Sequence, residues 1–428
     1  MRLLLVHPPI FDFTASDFWL RPYGMMRVAS QMRHICRFVY FDYLRTVKKD
    51  AWGRGRFAEE IIPKPAAFSD IPRRFRRFGR PRGEFRELLR TQAFDAVLVQ
   101  TSMTYWYQGV REVIEDIREL QPFAKIVLGG VYATLCPEHA ESAGADLVIR
   151  GSNLEPLWRM LSTQPINGDP YFPEENDDVG VLKLSDGCPF NCTYCAAPRM
   201  WDGFASRDTV ACLRELRLMV ASGVKNIAFY DDALLYRAEE VLIPFLKSVI
   251  SERISVRFHT PNALNARFLT PELARLMVQA GFAGFFFGLE SGMDAWQAAT
   301  GGKVKAVEFA AAVRYLREAG ARYITAYIIT GHPDSETQSL EESIKFAHDC
   351  GVKIMLSDFS PIPGTEDGKK SARWADMKEP LSHNKTAFAF RRLGADHLNR
   401  IKRLTHTLND RLLQGDTGAA DHGWRQKG

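Results

Sequence analysis

The sequence predicts an α/β protein: an N-terminal doubly wound Rossmann-like domain, then a partial (β/α)6 TIM-type barrel and a helical C-terminal tail. Three observations predict it. Short apolar, β-rich runs alternate with helical periods along most of the chain. The alternation breaks once, at a stretch rich in Pro, Gly, Asp and Asn (163–180). Past residue 370 the strand signal fades and only helical periods remain.

Residues 1–162 supply the first series. The runs at 3–6, 37–43, 95–102, 125–130 and 147–151 read as buried parallel strands. Between two of them Val110, Val113, Ile114, Ile117 and Leu120 fall at helical spacing and make one apolar stripe. Parallel strands need right-handed crossovers, which cover both faces of the sheet. Ligands then belong at the carboxyl ends of the strands, around Thr101 to Thr104 and Gly129-Gly130.

One basic excursion interrupts this domain. Residues 51–90 carry eleven Lys and Arg against five Asp and Glu. Such a segment suits phosphate binding, or else is a solvated insertion anchored by Phe75, Phe78 and Phe85.

After the 163–180 linker, residues 181–370 repeat the pattern six times, with strands expected at 181–187, 226–232, 256–260, 284–291, 323–331 and 352–359. One helix between them is clearly punctuated. Thr270 caps it, Pro271 opens it, Leu273, Leu276, Met277 and Ala280 face inward, and Gly281 ends it. Six units make a barrel two short of the full eight, with chemistry expected at the carboxyl ends of its strands. Residues 371–428 form a helical extension, with a charged helix expected near 391–414.

Composition sets the environment. The 428 residues are 46% hydrophobic and 25% charged, which is ordinary globular usage. The apolar run after Met1 stops at His7-Pro8-Pro9, so it does not read as a signal peptide. No apolar run approaches the roughly eighteen residues of a membrane span. Together with seven cysteines in no disulfide-like framework, this gives a cytoplasmic expectation. Cys36, Cys136, Cys212 and Cys350 are scattered and read as buried apolar side chains.

The other three cysteines carry the chemistry. "GCPFNCTYCAAP" (187–198) holds Cys188, Cys192 and Cys195 on the loop after the first barrel strand. Three soft thiolates suit iron–sulfur chemistry. Cubanes and structural zinc sites normally take four protein ligands, and no second cysteine pair follows. His259 and His332 stand at strand ends as distant fourth ligands; otherwise one iron is left open.

At this loop the chain resembles the radical S-adenosylmethionine (SAM) superfamily, over nearly all of residues 181–366. The Cys-x3-Cys-x2-Cys spacing and the aromatic Tyr194 carry the resemblance. It implies a single 4Fe–4S cluster on Cys188, Cys192 and Cys195, with the amino and carboxylate groups of SAM on the fourth iron. It further implies that Asp231 or Asp232 of "FYDD" takes the methionyl amino group. Glu290 and Ser291 of "FGLESG" meet ribose and methionine, and Thr330 and Gly331 approach adenine. Tyr194 binds through its backbone, while His332 reads as structural. "PIPGTE" (361–366) is a further familiar element and reads as a turn. The implied activity is reductive cleavage of SAM to a 5′-deoxyadenosyl radical that modifies a substrate the sequence does not name. A low-potential electron donor such as flavodoxin or ferredoxin is implied as partner; nucleic acid is not expected as one.

"LGGVYATLCPEHA" and "GADLVIRGSNLEP" resemble the cobalamin-binding type of Rossmann domain found before many radical enzymes. The Asp-x-His-x-x-Gly loop that supplies a cobalt ligand in some of them is absent, and "RGSNLE" keeps only Arg150, Gly151 and Glu155 of the usual run. The resemblance implies cobalamin beside Ser102 to Tyr107 and Gly129-Gly130, with Tyr105 or Trp106 shielding its lower face. Methyl transfer and cyclisation are the reactions it brings into view. The alternative is a cluster-bearing binding or sensor protein with a Rossmann domain that holds no cobalamin.

Overall fold

In a computed structural model, residues 1–46, 48–166 and 177–415 are described. The first domain is a parallel sheet of β1 (Arg2–His7), β2 (Arg37–Asp42), β3 (Ala96–Thr101), β4 (Lys125–Gly130) and β5 (Leu147–Val148), in the order β2-β1-β3-β4-β5. Leu3 to Val6 of β1 are fully buried, as a central strand covered on both faces must be. The strand order reverses between β1 and β3, so the loops after these two strands open the crevice where such sheets bind ligands. The helix Tyr107–Leu120 buries Val110, Val113, Ile114 and Ile117 against the sheet, which is the stripe read from the sequence.

The basic insertion is held by ion pairs within the domain. Its strand Arg76–Phe78 lies between Ile10–Asp12 and Glu59–Ile61, and Phe75, Phe78 and Phe85 are buried. Arg77 reaches Glu112 at 2.7 Å with both side chains buried, and Arg82 reaches Asp116 at 2.9 Å. Arg86 pairs with Asp116 and Glu119. These pairs engage Arg77, Arg82 and Arg86 within the domain. The buried phenylalanines anchor the insertion, as the second of the two readings expects.

Of the expected linker, residues 167–176 lie outside the described residues. Asp177 and Asp178 make ion pairs, and Val179-Gly180 already belong to the barrel. The barrel sheet comprises β6 (Val179–Leu182), β7 (Asn226–Phe229), β8 (Arg257–His259), β9 (Phe282–Glu290), β10 (Ile324–Thr330) and β11 (Lys353–Asp358). All are parallel and neighbours follow chain order, so β6 and β11 are left as unpaired edges. The first strand ends at Leu182, short of its expected reach to 187, because Ser185–Asp186 peel off to pair with Ala205–Ser206. The punctuated helix is Pro271–Gln279, with the Thr270 hydroxyl accepting from Leu273 N at 3.2 Å. Two helices, Lys385–Leu393 and Ala395–Gly415, replace the one expected near 391–414, because Gly394 breaks the run. Asn409 of the second brackets the edge strand β11, accepting from Ile354 N and donating to Ile354 O, each at 2.9 Å. No helix among the described residues is long and apolar enough to cross a membrane.

The open barrel is filled from the first domain. Trp19 is 1% exposed inside it, among Val179, Val181, Ala228 and Phe286. Its indole stacks on His259 at 4.3 Å and donates to the Trp52 carbonyl at 2.6 Å. Phe18 meets Phe286 edge-on at 5.4 Å. The Trp19 backbone sits at φ +60°, a left-handed conformation that costs about 1–3 kcal/mol and persists only where packing enforces it. Beneath it Gly53, at φ +78°, lies so close to Val179 that a Cβ would stand 2.4 Å from that side chain. Arg21 holds Asp17 and Asp177, and Lys49 holds Asp177 and Asp178.

Two parts of one chain thus share a core. Trp19→Ala is expected to destabilise the whole protein by about 3–5 kcal/mol, read by urea unfolding. A loss under about 1 kcal/mol would show that the segment rests on the barrel without filling it.

Candidate functional site

The three cysteines follow β6 on a loop with almost no regular structure, so other elements have to hold it. Asp231, just past β7, holds its start. The Leu184 and Ser185 amides donate to Asp231 Oδ1 at 2.9 and 2.7 Å, and the Ser185 hydroxyl donates at 2.7 Å. Burial raises this carboxyl to about 6, against the pull of those same hydrogen bonds. Next, Gly187 at φ +76° crosses the backbone of Gly203; a Cβ there would stand 1.8 Å from the Gly203 carbonyl oxygen.

Two contacts hold the middle of the loop. Thr193 N donates to Thr300 O at 3.2 Å, and Asp367 N donates to Thr193 O at 3.1 Å. The Thr193 hydroxyl donates to the Asp367 carboxylate, which also meets His332 Nε2 at 2.9 Å. Asp367 belongs to the short helix Glu366–Lys370 that follows β11. His332 is therefore a brace behind the loop, as its structural reading anticipates. His259, the other distant ligand weighed from the sequence, lies under Trp19 with its Nε2 against Asn226 Oδ1 at 3.0 Å.

Burial raises all three thiols, Cys195 to about 11, and the positive charge of Lys303 pulls each back. Among the described residues, no three His, Cys, Asp or Glu side chains converge to hold a single metal ion. A cubane offers a separate iron to each thiolate, so its ligands need not converge on one point. Tyr194 stacks on Trp296 at 5.8 Å.

The two aspartates divide their roles. Asp231 is 2% exposed and taken up by the loop backbone. The Asp232 side chain is 29% exposed, 3.8 Å from Lys183 Nζ. Burial raises its carboxyl, Lys183 lowers it, and its charge reaches Cys188. Lys183 in turn contacts Asp186 at 3.0 Å and lies over the Trp201 ring.

On β9 the register shifts between Gly288 and Glu290, and Glu290 takes φ +61°. This bulge aims Glu290 at Lys303, whose Nζ donates at 2.6 Å. A Cβ on Gly288 would stand 2.1 Å from that Nζ, so the pair occupies the space that the glycine leaves. The next residue, Ser291, points the other way, its hydroxyl 3.2 Å from Ser343 Oγ on an outer helix. That departs from its expected place beside Glu290. Thr330 is fully buried with its hydroxyl unpartnered, while its carbonyl accepts from Phe359 N at 2.9 Å. Gly331, at φ +82°, gives room to Ala389; a Cβ would stand 3.2 Å from the Ala389 Cα. The close approach expected there is made by the C-terminal extension.

In the first domain, the aromatic run is not the face expected. Tyr105 is 1% exposed, Trp106 Nε1 donates to Asp12 at 2.8 Å, and Tyr107 donates to Glu379 at 3.2 Å. Tyr105 and Tyr107 are buried in packing, so Tyr105 is not available as a shield, while Trp106 is held at its Nε1 and remains partly exposed. Met103, 47% exposed, is the large side chain that this loop presents. Gly130 is required where it is, since a Cβ would stand 2.2 Å from Thr101 O, whereas Gly129 leaves its side open. The helix Val131–Leu135 at this crevice packs on Ala197–Met200, the helix directly after Cys195. The two candidate sites are neighbours.

Sequence reasoning missed Lys303 and Lys183. Lone lysines give little signal, although "TGGK" placed one after paired glycines.

Asp367 is held down to about 2, where hydrogen bonds from His332 and Thr193 outweigh its burial. Its folded value lies below the unfolded one. It therefore adds stability above about pH 4, lost as pH falls toward 2. Asp367→Asn is expected to lower stability at pH 7 by on the order of 2 kcal/mol and to flatten the acid limb, read by denaturation between pH 2 and 7. An unchanged acid limb would remove Asp367 as the brace.

Comparison with protein families matches residues 182–347 to the radical SAM superfamily. An uncharacterized methyltransferase of Pyrococcus horikoshii is 25% identical over 227 residues, 51% of this chain and 48% of that protein. This chain thus spans about half the length of that curated relative. Among solved structures, the radical SAM methyltransferase TsrM of Kitasatospora setae, holding tryptophan substrate and a SAM analogue, superimposes with a TM-score of 0.65 at 14% identity. The match covers 87% of this chain and 76% of that one. The cobalamin-dependent radical SAM enzyme OxsB, with aqua-cobalamin and SAM bound, gives 0.56 at 12% identity over 95% and 61%. At these identities the likeness is one of fold, and it runs through both domains. Residues 182–347 thus match the radical SAM superfamily, and a Rossmann-like domain precedes them.

Proposed function

We propose that this protein is a radical SAM enzyme that binds one 4Fe–4S cluster, SAM and cobalamin, and transfers a methyl group to a substrate. The observation that carries the reading is the braced loop of three thiols at the barrel mouth, with Asp232 and Glu290 beside it. Cys188, Cys192 and Cys195 hold the cluster, shedding the protons that burial keeps on them. When bound, the cluster would supply the one electron that splits SAM into methionine and a 5′-deoxyadenosyl radical. Asp232 accepts the methionyl amino group, since Asp231 is taken up by the loop. Glu290 takes the ribose, and Tyr194 binds through its backbone. The dry aromatic packing of Trp19, Phe18 and Phe286 closes the barrel beneath the reacting atoms.

Cobalamin belongs in the crevice after β1 and β3, over the open side of Gly129, with Met103 and Trp106 as its protein neighbours in place of the buried Tyr105. The sheet order, and the contact between that crevice and the helix after Cys195, support this placement. So does the fold shared with TsrM, which has been seen with cobalamin and a cluster, and with OxsB. All seven cysteines are free, which suits a reducing cytoplasm and a donor such as flavodoxin or ferredoxin.

The reconstituted protein is expected to hold about four irons, and joint replacement of Cys188, Cys192 and Cys195 by Ala to abolish them. Iron near eight per chain would contradict a single cluster. With dithionite and SAM, 5′-deoxyadenosine should be released. Asp232→Ala should weaken SAM binding at least tenfold by calorimetry while leaving iron intact; unaltered binding would take Asp232 out of the site. Cobalt counted by mass spectrometry after growth on hydroxocobalamin should approach one per chain. Cobalt near zero with SAM cleavage intact would leave the Rossmann domain without its ligand.

A further inference from the structure

Lys303 is a lysine in an almost closed setting, with 19% of its side chain exposed. The loop that carries it lies directly on the cysteine loop. Gly301 is so near Cys192 that a Cβ would stand 2.9 Å from the Cys192 Cα, and Thr300 O accepts from Thr193 N. Glu290 fixes the ammonium at 2.6 Å, and the missing side chain of Gly288 makes the space for it. Burial disfavours the charge, yet Glu290 and then the thiols of Cys192 and Cys195 more than offset that, so Lys303 stays protonated.

On the reading that the three cysteines hold a cluster, we propose that Lys303 is a positioning residue that sets the potential at which this cluster takes up its electron. Three thiolates on a cubane make an anionic centre, and reduction adds one more negative charge. A fixed cation beside it, shielded from water, stabilises the reduced form more than the oxidised one. Glu290 opposes this in part and fixes where the cation sits. The strained φ of Glu290, the bulge on β9 and the two glycines serve one purpose, a charge pair beside the thiols. Net charge and dryness near a cluster are the levers by which a protein tunes it.

The test is a redox titration of reconstituted protein, followed by electron paramagnetic resonance without SAM. Lys303→Met is expected to lower the midpoint so that reduction becomes at least tenfold less favourable, which is 59 mV for one electron. Lys303→Arg should keep it within half that shift. Glu290→Gln, which removes the opposing charge, should move the midpoint the other way, and it serves alone if Lys303→Met assembles no cluster. Unchanged midpoints at wild-type iron content, or equal shifts in Met and Arg variants, would overturn the proposal. Wild-type protein that binds no iron would instead remove the cluster reading on which it rests.

Discussion

A three-thiol loop between two sheets has no ladder of its own, and its geometry depends on carboxylates reaching it from other strands. Asp231 takes the amides of Leu184 and Ser185 at the loop's start, and Asp367 takes Thr193 at its centre. Asp231 stands just past the second barrel strand, and Asp367 in the short helix Glu366–Lys370 that follows the sixth. Buried carboxylates are tolerated only with hydrogen bonds to spend their charge on. Here the loop backbone and His332 supply those bonds, so the cost of burial and the rigidity of the loop are linked. The thiols inherit their positions from this arrangement.

A second constraint comes from the barrel being incomplete. Six strands leave β6 and β11 as open edges, and exposed parallel edges invite water and foreign pairing. Asn409 covers β11 by satisfying the Ile354 backbone on both sides, and Trp19 with its neighbours fills the lumen from the first domain. The Rossmann-like domain therefore completes the barrel as well as offering a crevice beside it. The C-terminal extension ties them further: Tyr107 to Glu379, Thr104 to His383, and Asp12 to Asn384.

Much of this was legible in the sequence, for physical reasons. Runs such as Leu3 to Val6 and "GFFFGLE" are buried on both faces, so composition alone marks them as strands. The cysteine spacing marks a metal loop because no other common use of cysteine needs it. Side-chain direction was harder to read. Alternation along β9 puts Phe286 in the lumen and Leu289 in the outer core, and the same alternation turns Glu290 inward and Ser291 out to Ser343, so the two could not both face a ligand. Tyr105, Trp106 and Tyr107 looked like a ligand face because their partners Asp12 and Glu379 lie far off in sequence. Gly331 looked like a place for a ligand because Ala389, which fills it, comes from the C-terminal helix. Lys303 was invisible for a similar reason: a lysine acquires meaning only through the thiols and carboxylate that the fold brings to it.

The central claim is that Cys188, Cys192 and Cys195 leave one iron open for SAM. Electron paramagnetic resonance of the reduced cluster, recorded before and after adding SAM, tests it most directly. Direct coordination to the open iron predicts a changed set of g-values at saturating SAM, and no such change in the presence of methionine-free 5′-deoxyadenosine. An identical spectrum with and without SAM, in protein shown by calorimetry to bind it, would contradict the account.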